Sequence, residues 1–311
     1  MASFPGAAAP GASRALARPR RRRPALLGLA GILPALVLIV GLILYPVGYA
    51  IWLSFFDKHS FFPQERWIGL GNYVRLVSDP EFWDSLWKGT VYAVGSTALQ
   101  LVFGVAAALL LHRMFRGRTV VRALVLFPYM IPTIVAVILW KWLLNDSYGL
   151  VDYVLVATGA TRIPPAWLGK DYIMWSLIVT SVWQFFPFVV VTYLARLQTI
   201  PPELYEAATV DGAGAWRRFL HVTLPQTGAV LFVIVLLRGI WMFTKFDTVW
   251  LMAGEGGVSQ YVRTLPVYAY ERTFTYLQAG MGATLAVLMF GLLAGATAVY
   301  FGLFREEEIV S

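Results

Sequence analysis

The 311-residue chain contains no cysteine, which removes disulfides, thiolate metal sites and cysteine nucleophiles together. Its three histidines, His59, His112 and His221, sit in separate connecting segments, so no His/Glu cluster is present to hold a catalytic or structural metal. Charge is scarce as well: 14% of the residues are charged and 59% are hydrophobic, a balance that excludes an ordinary water-soluble domain. No Gly-x-x-x-x-Gly-Lys-Ser/Thr run occurs, so the chain has no loop of its own to cradle nucleotide phosphates. No clear repeat relates the two halves, which speaks against a stand-alone carrier built from inverted repeats.

What is abundant is apolar sequence in blocks of membrane-spanning length. A transmembrane helix needs about 20 mainly apolar residues, and six segments qualify: residues 25–56, 90–111, 120–144, 173–195, 228–250 and 281–304. The expected fold is therefore an all-α membrane protein of six transmembrane helices, with both termini on one side. Arginines concentrate in the amino-terminal tail (Arg14, Arg18, Arg20, Arg21, Arg22, Arg23), in the second loop (Arg113, Arg116, Arg118, Arg122) and in the fourth (Arg196, Arg217, Arg218), which marks these as cytoplasmic. Residues 1–24, rich in Ala, Pro, Gly and Arg, bury no core and read as a disordered basic tail against anionic lipid, not as a nucleic-acid arm. Gly48-Tyr49-Ala50 has the look of a signal-cleavage site, but the apolar run before it is too long for a signal peptide, so the first span is read as retained. Residues 305–311 form a short cytoplasmic tail.

Prolines at 34, 46, 128, 132 and 187 interrupt the spans and are expected to bend them. Gly291 and Gly295 form a small-xxx-small pair suited to close helix packing. In the fifth span Arg238, Trp241 and Lys245 recur at i, i+3 and i+7, a cationic and aromatic face with Arg238 near the membrane centre. Asp247 falls on the opposite side of that helix. The fourth span carries a stripe of Ser176, Thr180, Trp183, Gln184 and Pro187. Two readings of these faces stand side by side: lining of a pathway for a hydroxylated or anionic ligand, or hydrogen bonding between helices with Lys245 reaching the interface. The third span offers Tyr129, Thr133, Trp140 and Lys141, a less regular polar set, while Tyr45, Trp52, Trp140, Trp142 and Trp250 read as interfacial anchors.

The fourth loop, residues 196–227, is the most ordered connection. Thr199 before Pro201, Pro202 and Glu203 suggests a capped helix start, and Glu206, Ala207 and Ala208 favour its continuation. Gly212 and Gly214 are expected to turn the chain into a second short helix over residues 215–221, with Leu224-Pro225 beginning the fifth span. The product is a helix-turn-helix held in water, shaped to dock in a groove.

Glu206, Ala207 and Ala208, then Gly212 after three residues, then Val222, Leu224 and Pro225 after nine more, resemble the EAA loop of binding-protein-dependent ABC importer permeases. Val222 stands where isoleucine is commoner. Gly69-Leu70-Gly71-Asn72-Tyr73, Asp79-Pro80-Glu81-Phe82-Trp83 and Phe246-Asp247 are similar to the maltose/glycerol-phosphate branch of sugar permeases, as is Gly254-Glu255-Gly256-Gly257, although Val258 replaces the usual proline. The resemblance covers residues 25–304. It implies that Glu206, Ala207, Ala208, Asp211 and Gly212 couple to a separate ATPase subunit, which would hold ATP and Mg, leaving no cofactor on this chain. It further implies a second permease subunit, favouring a different chain, two ATPase copies, an extracytoplasmic solute-binding protein, and a place in the bacterial cytoplasmic membrane. The implied activity is import of a carbohydrate or related polyol, the chain itself being a transport subunit and not an enzyme. The competing reading is an ATP-independent channel or ion-coupled carrier. Candidate pathway residues are Arg238, Trp241, Lys245, Trp183, Gln184 and Thr180.

Overall fold

The computed structural model describes residues 23–113, 116–253 and 259–304. The basic tail thus lies almost wholly outside the described residues, as do residues 305–311 and the Gly254–Val258 stretch with its missing proline.

The chain divides into two units, Met1–Tyr49 and Ala50–Ser311. In the first, α1 (Arg23–Ile39) leads through a π-helical turn, Val40–Leu44, into α2 (Tyr45–Leu53). The wide turn stands directly before Pro46, whose missing N–H leaves a carbonyl of the preceding turn unclaimed. Gly31–Leu53 is long and apolar enough to cross a membrane.

The second unit begins with the last residues of α2 and continues into a hairpin, β1 (Phe56–Lys58) and β2 (Glu65–Trp67), antiparallel with Asp57 opposite Arg66. The Gly-Leu-Gly-Asn-Tyr stretch opens α3 (Gly71–Val77), and buried Asn72 donates from Nδ2 to the carbonyls of Ser54 and Phe56 at 3.0 and 2.9 Å. That amide ties the hairpin to the helices. Helix α4 (Pro80–His112) then starts ten residues earlier than the apolar pattern suggested, because Asp79 accepts from Glu81 N–H and Pro80 occupies the first turn.

The third span is not one helix. It breaks into α5 (Arg118–Met130) and α6 (Thr133–Leu143), bent by 99°. Proline disfavours helix at the residue before it, and Ile131, preceding Pro132, is extended with ψ 131°. The freed Ile131 carbonyl accepts from Gln184 Nε2 at 3.1 Å, which is how buried non-helical backbone is tolerated at membrane depth. After α7 (Leu150–Ala157), the 25-residue α8 (Ile173–Leu197) runs unbroken through Pro187.

Short helices α9 (Pro202–Val210) and α10 (Ala215–Arg218) follow, and a second π-helical turn, Phe219–Thr223, joins α10 to α11 (Leu224–Phe243). The second loop helix and the fifth span are therefore one rod, Ala215–Phe243, and the span ends seven residues before position 250. Beyond it come α12 (Asp247–Ala253), α13 (Ser259–Val262), α14 (Leu265–Tyr270), a third π-helical turn at Glu271–Thr275, and α15 (Ala279–Phe304). Among the described residues five helices are long and apolar enough to span, and the bent α5–α6 pair, taken as one span, brings the number to six.

Helices α4 and α8 are the central pair. A Cβ built on Gly104 would stand 2.5 Å from Val189 Cβ, so the small residue that lets helices meet is Gly104. Among the described residues nothing lies within 4 Å of such an atom on Gly291 or Gly295, so none of them packs a helix there. Small residues on a span permit close approach, but only a facing helix uses it.

Candidate functional site

The 198–224 loop is built by local chemistry. Thr199 does not cap α9: its hydroxyl donates back to the Arg196 carbonyl at 2.8 Å, finishing α8, while Pro201 stands at the α9 start. At the other end of α9, the N–H of Ala213 reaches the Ala208 carbonyl and that of Gly212 reaches Thr209, the paired bonds of a Schellman stop. Gly212 sits at φ +77°, a conformation that costs any residue with a Cβ.

Two side-chain braces fold α9 against the following rod. Tyr205 and Thr223 share a hydroxyl hydrogen bond of 3.1 Å, and Arg218 Nη1 donates to Thr209 Oγ1 at 3.1 Å. Arg196 Nε donates to the Gln226 carbonyl at 2.8 Å, tying the end of α8 to the start of α11. Glu206, Ala207, Asp211 and Gly212 are exposed and Ala208 is half-buried. Near them in the loop the apolar side chains of Val210 and Trp216 are 88% and 69% exposed. Exposed large apolar side chains grouped in this way are a feature of protein interaction surfaces.

The second candidate region surrounds Arg238, which is only 2% exposed. Its Nε donates to Gln100 Oε1 of α4 at 2.7 Å, and Nη2 lies 3.6 Å from the Met242 sulfur. The guanidinium carbon stands 5.0, 5.8 and 5.6 Å from the ring centres of Phe185, Phe188 and Trp241. Among the described residues it makes no ion pair. Lys245 is not on the Arg238 helical face in the expected sense, because α11 ends at Phe243. It nevertheless converges on the same place, with Nζ 4.6 Å from the Phe185 ring centre and 3.0 Å from Asp247 Oδ1. Arg238 lies five residues from the α11 end, about 8 Å along the axis.

In the fourth-span stripe Ser176, Thr180, Gln184 and Pro187 are buried and Trp183 is half-buried. Ser176 donates to the Trp167 carbonyl at 2.7 Å, Thr180 lies 3.8 Å from the Met252 sulfur, and Gln184 holds the break in the third span. Trp183 meets Trp140 edge to face at 5.8 Å. Trp250 is half-buried, stacked on Phe246 and packed against Tyr270.

At the bundle end opposite the loop, Asp79 accepts from the Tyr268 hydroxyl at 2.6 Å and pairs with Arg272 at 3.0 Å, while Arg263 bridges Glu81 and Glu271. Burial works to raise the Asp79 pKa. The Tyr268 and Glu81 hydrogen bonds and the charges of Arg272 and Arg263 outweigh it and leave the carboxyl below its ordinary value. Tyr268 is pushed up to about 12 by burial and by its bond to Asp79.

Sequence reasoning missed Gln100, Gly104, Phe185 and Phe188. A lone amide inside an apolar run was the available signal for Gln100; nothing in the pattern distinguishes the two phenylalanines from their neighbours.

Residues 100–304 match the family described as binding-protein-dependent transport system inner membrane component. The trehalose/maltose transport system permease protein MalF of Thermococcus litoralis is 35% identical, over 92% of this chain and 96% of its own. The sulfoquinovosyl glycerol transport system permease protein SmoG of Agrobacterium fabrum is 34% identical over 91% and 92%. Among solved structures, a chain of a bacterial alginate ABC transporter, in complex with an alginate pentasaccharide-bound periplasmic protein, shares the fold. Its TM-score is 0.80 at 19% identity, covering 91% of this chain and 96% of that one.

Proposed function

The chain belongs to the family of inner membrane components of binding-protein-dependent transport systems, and from that premise we propose that it forms one half of the translocation pathway of an ATP-driven importer for a carbohydrate or related polyol. The observation that carries this reading is the 198–224 loop: a stopped, doubly braced helix that presents Glu206, Ala207 and an apolar patch outward. A rod running without interruption from Ala215 to Phe243 gives a force applied at that loop a rigid route to the Arg238 region.

In this reading the loop docks in a cleft of a separate ATPase subunit, which holds ATP and Mg; this chain carries no cofactor. Closure of two such subunits turns the membrane bundles between inward and outward openings. A second permease, of different sequence, completes the pathway, and an extracytoplasmic solute-binding protein delivers the ligand. The membrane is the bacterial inner membrane, with both termini and the loop cytoplasmic, as the arginine distribution supports. The carbohydrate class draws on the relatives, named for trehalose/maltose and for sulfoquinovosyl glycerol.

The test replaces Glu206 and Gly212 together. Uptake is expected to disappear, or the ATPase subunits to be lost on purification, while membrane insertion of the chain is unchanged. Normal transport with a normal complex in that double variant overturns the coupling role.

A further inference from the structure

We propose that the cluster around Arg238 is a binding subsite for the single anionic group of an acidic sugar, a carboxylate or a sulfonate. The proposal rests on the carbohydrate-import reading and narrows its substrate class.

A guanidinium has five N–H donors. In Arg238 one is given to the neutral amide oxygen of Gln100 and a second to the weak thioether acceptor of Met242. No carboxylate among the described residues pairs with it, although it is 2% exposed. A cation buried without a counter-ion is costly, and an incoming anion removes that cost. Lys245 stands over the same Phe185 ring, but Asp247 at 3.0 Å neutralises it. The cluster therefore keeps one uncompensated positive charge, which suits one anionic group.

The surroundings suit the rest of a sugar. Phe185, Phe188 and Trp241 surround the guanidinium, and Tyr129 packs on both phenylalanines at 6.3 and 6.4 Å. Tyr129 and Trp241 are 45% and 41% exposed, so part of each aromatic face is left uncovered by this chain's own side chains. Flat aromatic faces stack on the apolar faces of pyranose rings while the planar guanidinium takes an oxyanion in a two-toothed grip.

The experiment uses the assembled transporter in nanodiscs, without its binding protein, and measures calorimetric binding of methyl glucuronide, sulfoquinovose and methyl glucoside. At least tenfold tighter binding of one or both acidic probes than of methyl glucoside is expected, and the two acidic arms separate carboxylate from sulfonate. Arg238→Gln is expected to erase the preference. Gln100→Glu, nearly isosteric, keeps the arginine but supplies an internal counter-charge, and it too is expected to erase it. Equal or tighter binding of methyl glucoside, no binding of any probe, or a preference that survives both substitutions overturns the proposal. ATP hydrolysis by the same complex, and its dependence on Glu206 and Gly212, reports on the import reading separately.

Discussion

Gly104 of α4 faces Val189 of α8 so closely that an added Cβ would stand 2.5 Å from the valine Cβ and 3.2 Å from the Phe186 carbonyl oxygen. The two helices at the heart of the bundle meet side chain against backbone, with no room for a methyl group.

Gly104→Ala is therefore expected to destabilise the chain by about 1–3 kcal/mol, the usual penalty of overpacking. Thermal unfolding of the detergent-solubilised protein checks this, and Val189→Gly in the same chain, which removes the crowding Cβ and Cγ1 together, should relieve more of the clash than Val189→Ala, which keeps the Cβ at 2.5 Å. Gly291→Ala is the control, because its added Cβ meets nothing within 4 Å in this chain. Equal damage from both would remove the distinction between them.

Gln100→Leu is expected to cost about 1.5–3 kcal/mol, the worth of a hydrogen bond to a charged group. The 2.7 Å bond from Arg238 Nε is lost and a buried cation is left behind. Adding Arg238→Met removes the stranded charge, so the double variant should be more stable than Gln100→Leu alone, a coupling readable in a double-mutant cycle.

Gly212→Ala places a Cβ at φ +77°, at a cost of about 1–2 kcal/mol. Since nothing lies within 4 Å of that Cβ, the penalty is backbone strain alone. The end of α9 should then be reshaped while the spans stay intact. Transport per ATP hydrolysed is expected to fall, with Gly212→Asn less affected because asparagine tolerates the left-handed conformation better.

Asp79 has a lowered pKa in the folded chain, so its contribution is fully present above the ordinary carboxylate value of about 3.9 and is lost as pH falls through its folded value. Thermal stability should drop below about pH 4, and Asp79→Asn should start lower and lose less over the same range. Tyr268 has the opposite sign: with its pKa raised to about 12, its contribution holds below the ordinary tyrosine value and fades as pH rises toward 12. An unchanged acid limb in Asp79→Asn would show that the Asp79, Tyr268 and Arg272 cluster does not govern it.

Composition and charge pattern alone determined the class, the six apolar segments and the loop that carries Glu206 and Gly212, because spans and stop signals are written in consecutive residues. The Schellman stop at Gly212 was readable for the same reason: it is made within a few residues of chain. Only tertiary structure decided what the polar residues inside the spans do. Gln184 is a stripe member in sequence, but its partner is the Ile131 carbonyl freed by Pro132, 53 residues earlier. Gln100 and Arg238 are 138 residues apart and meet only once α4 packs on α11. Likewise, Lys245 reaches Phe185 because α11 ends before it, contrary to the helical spacing. Periodicity describes one helix at a time. A buried charge in a membrane bundle is placed by whatever its neighbours offer it, and no local pattern in the chain records that.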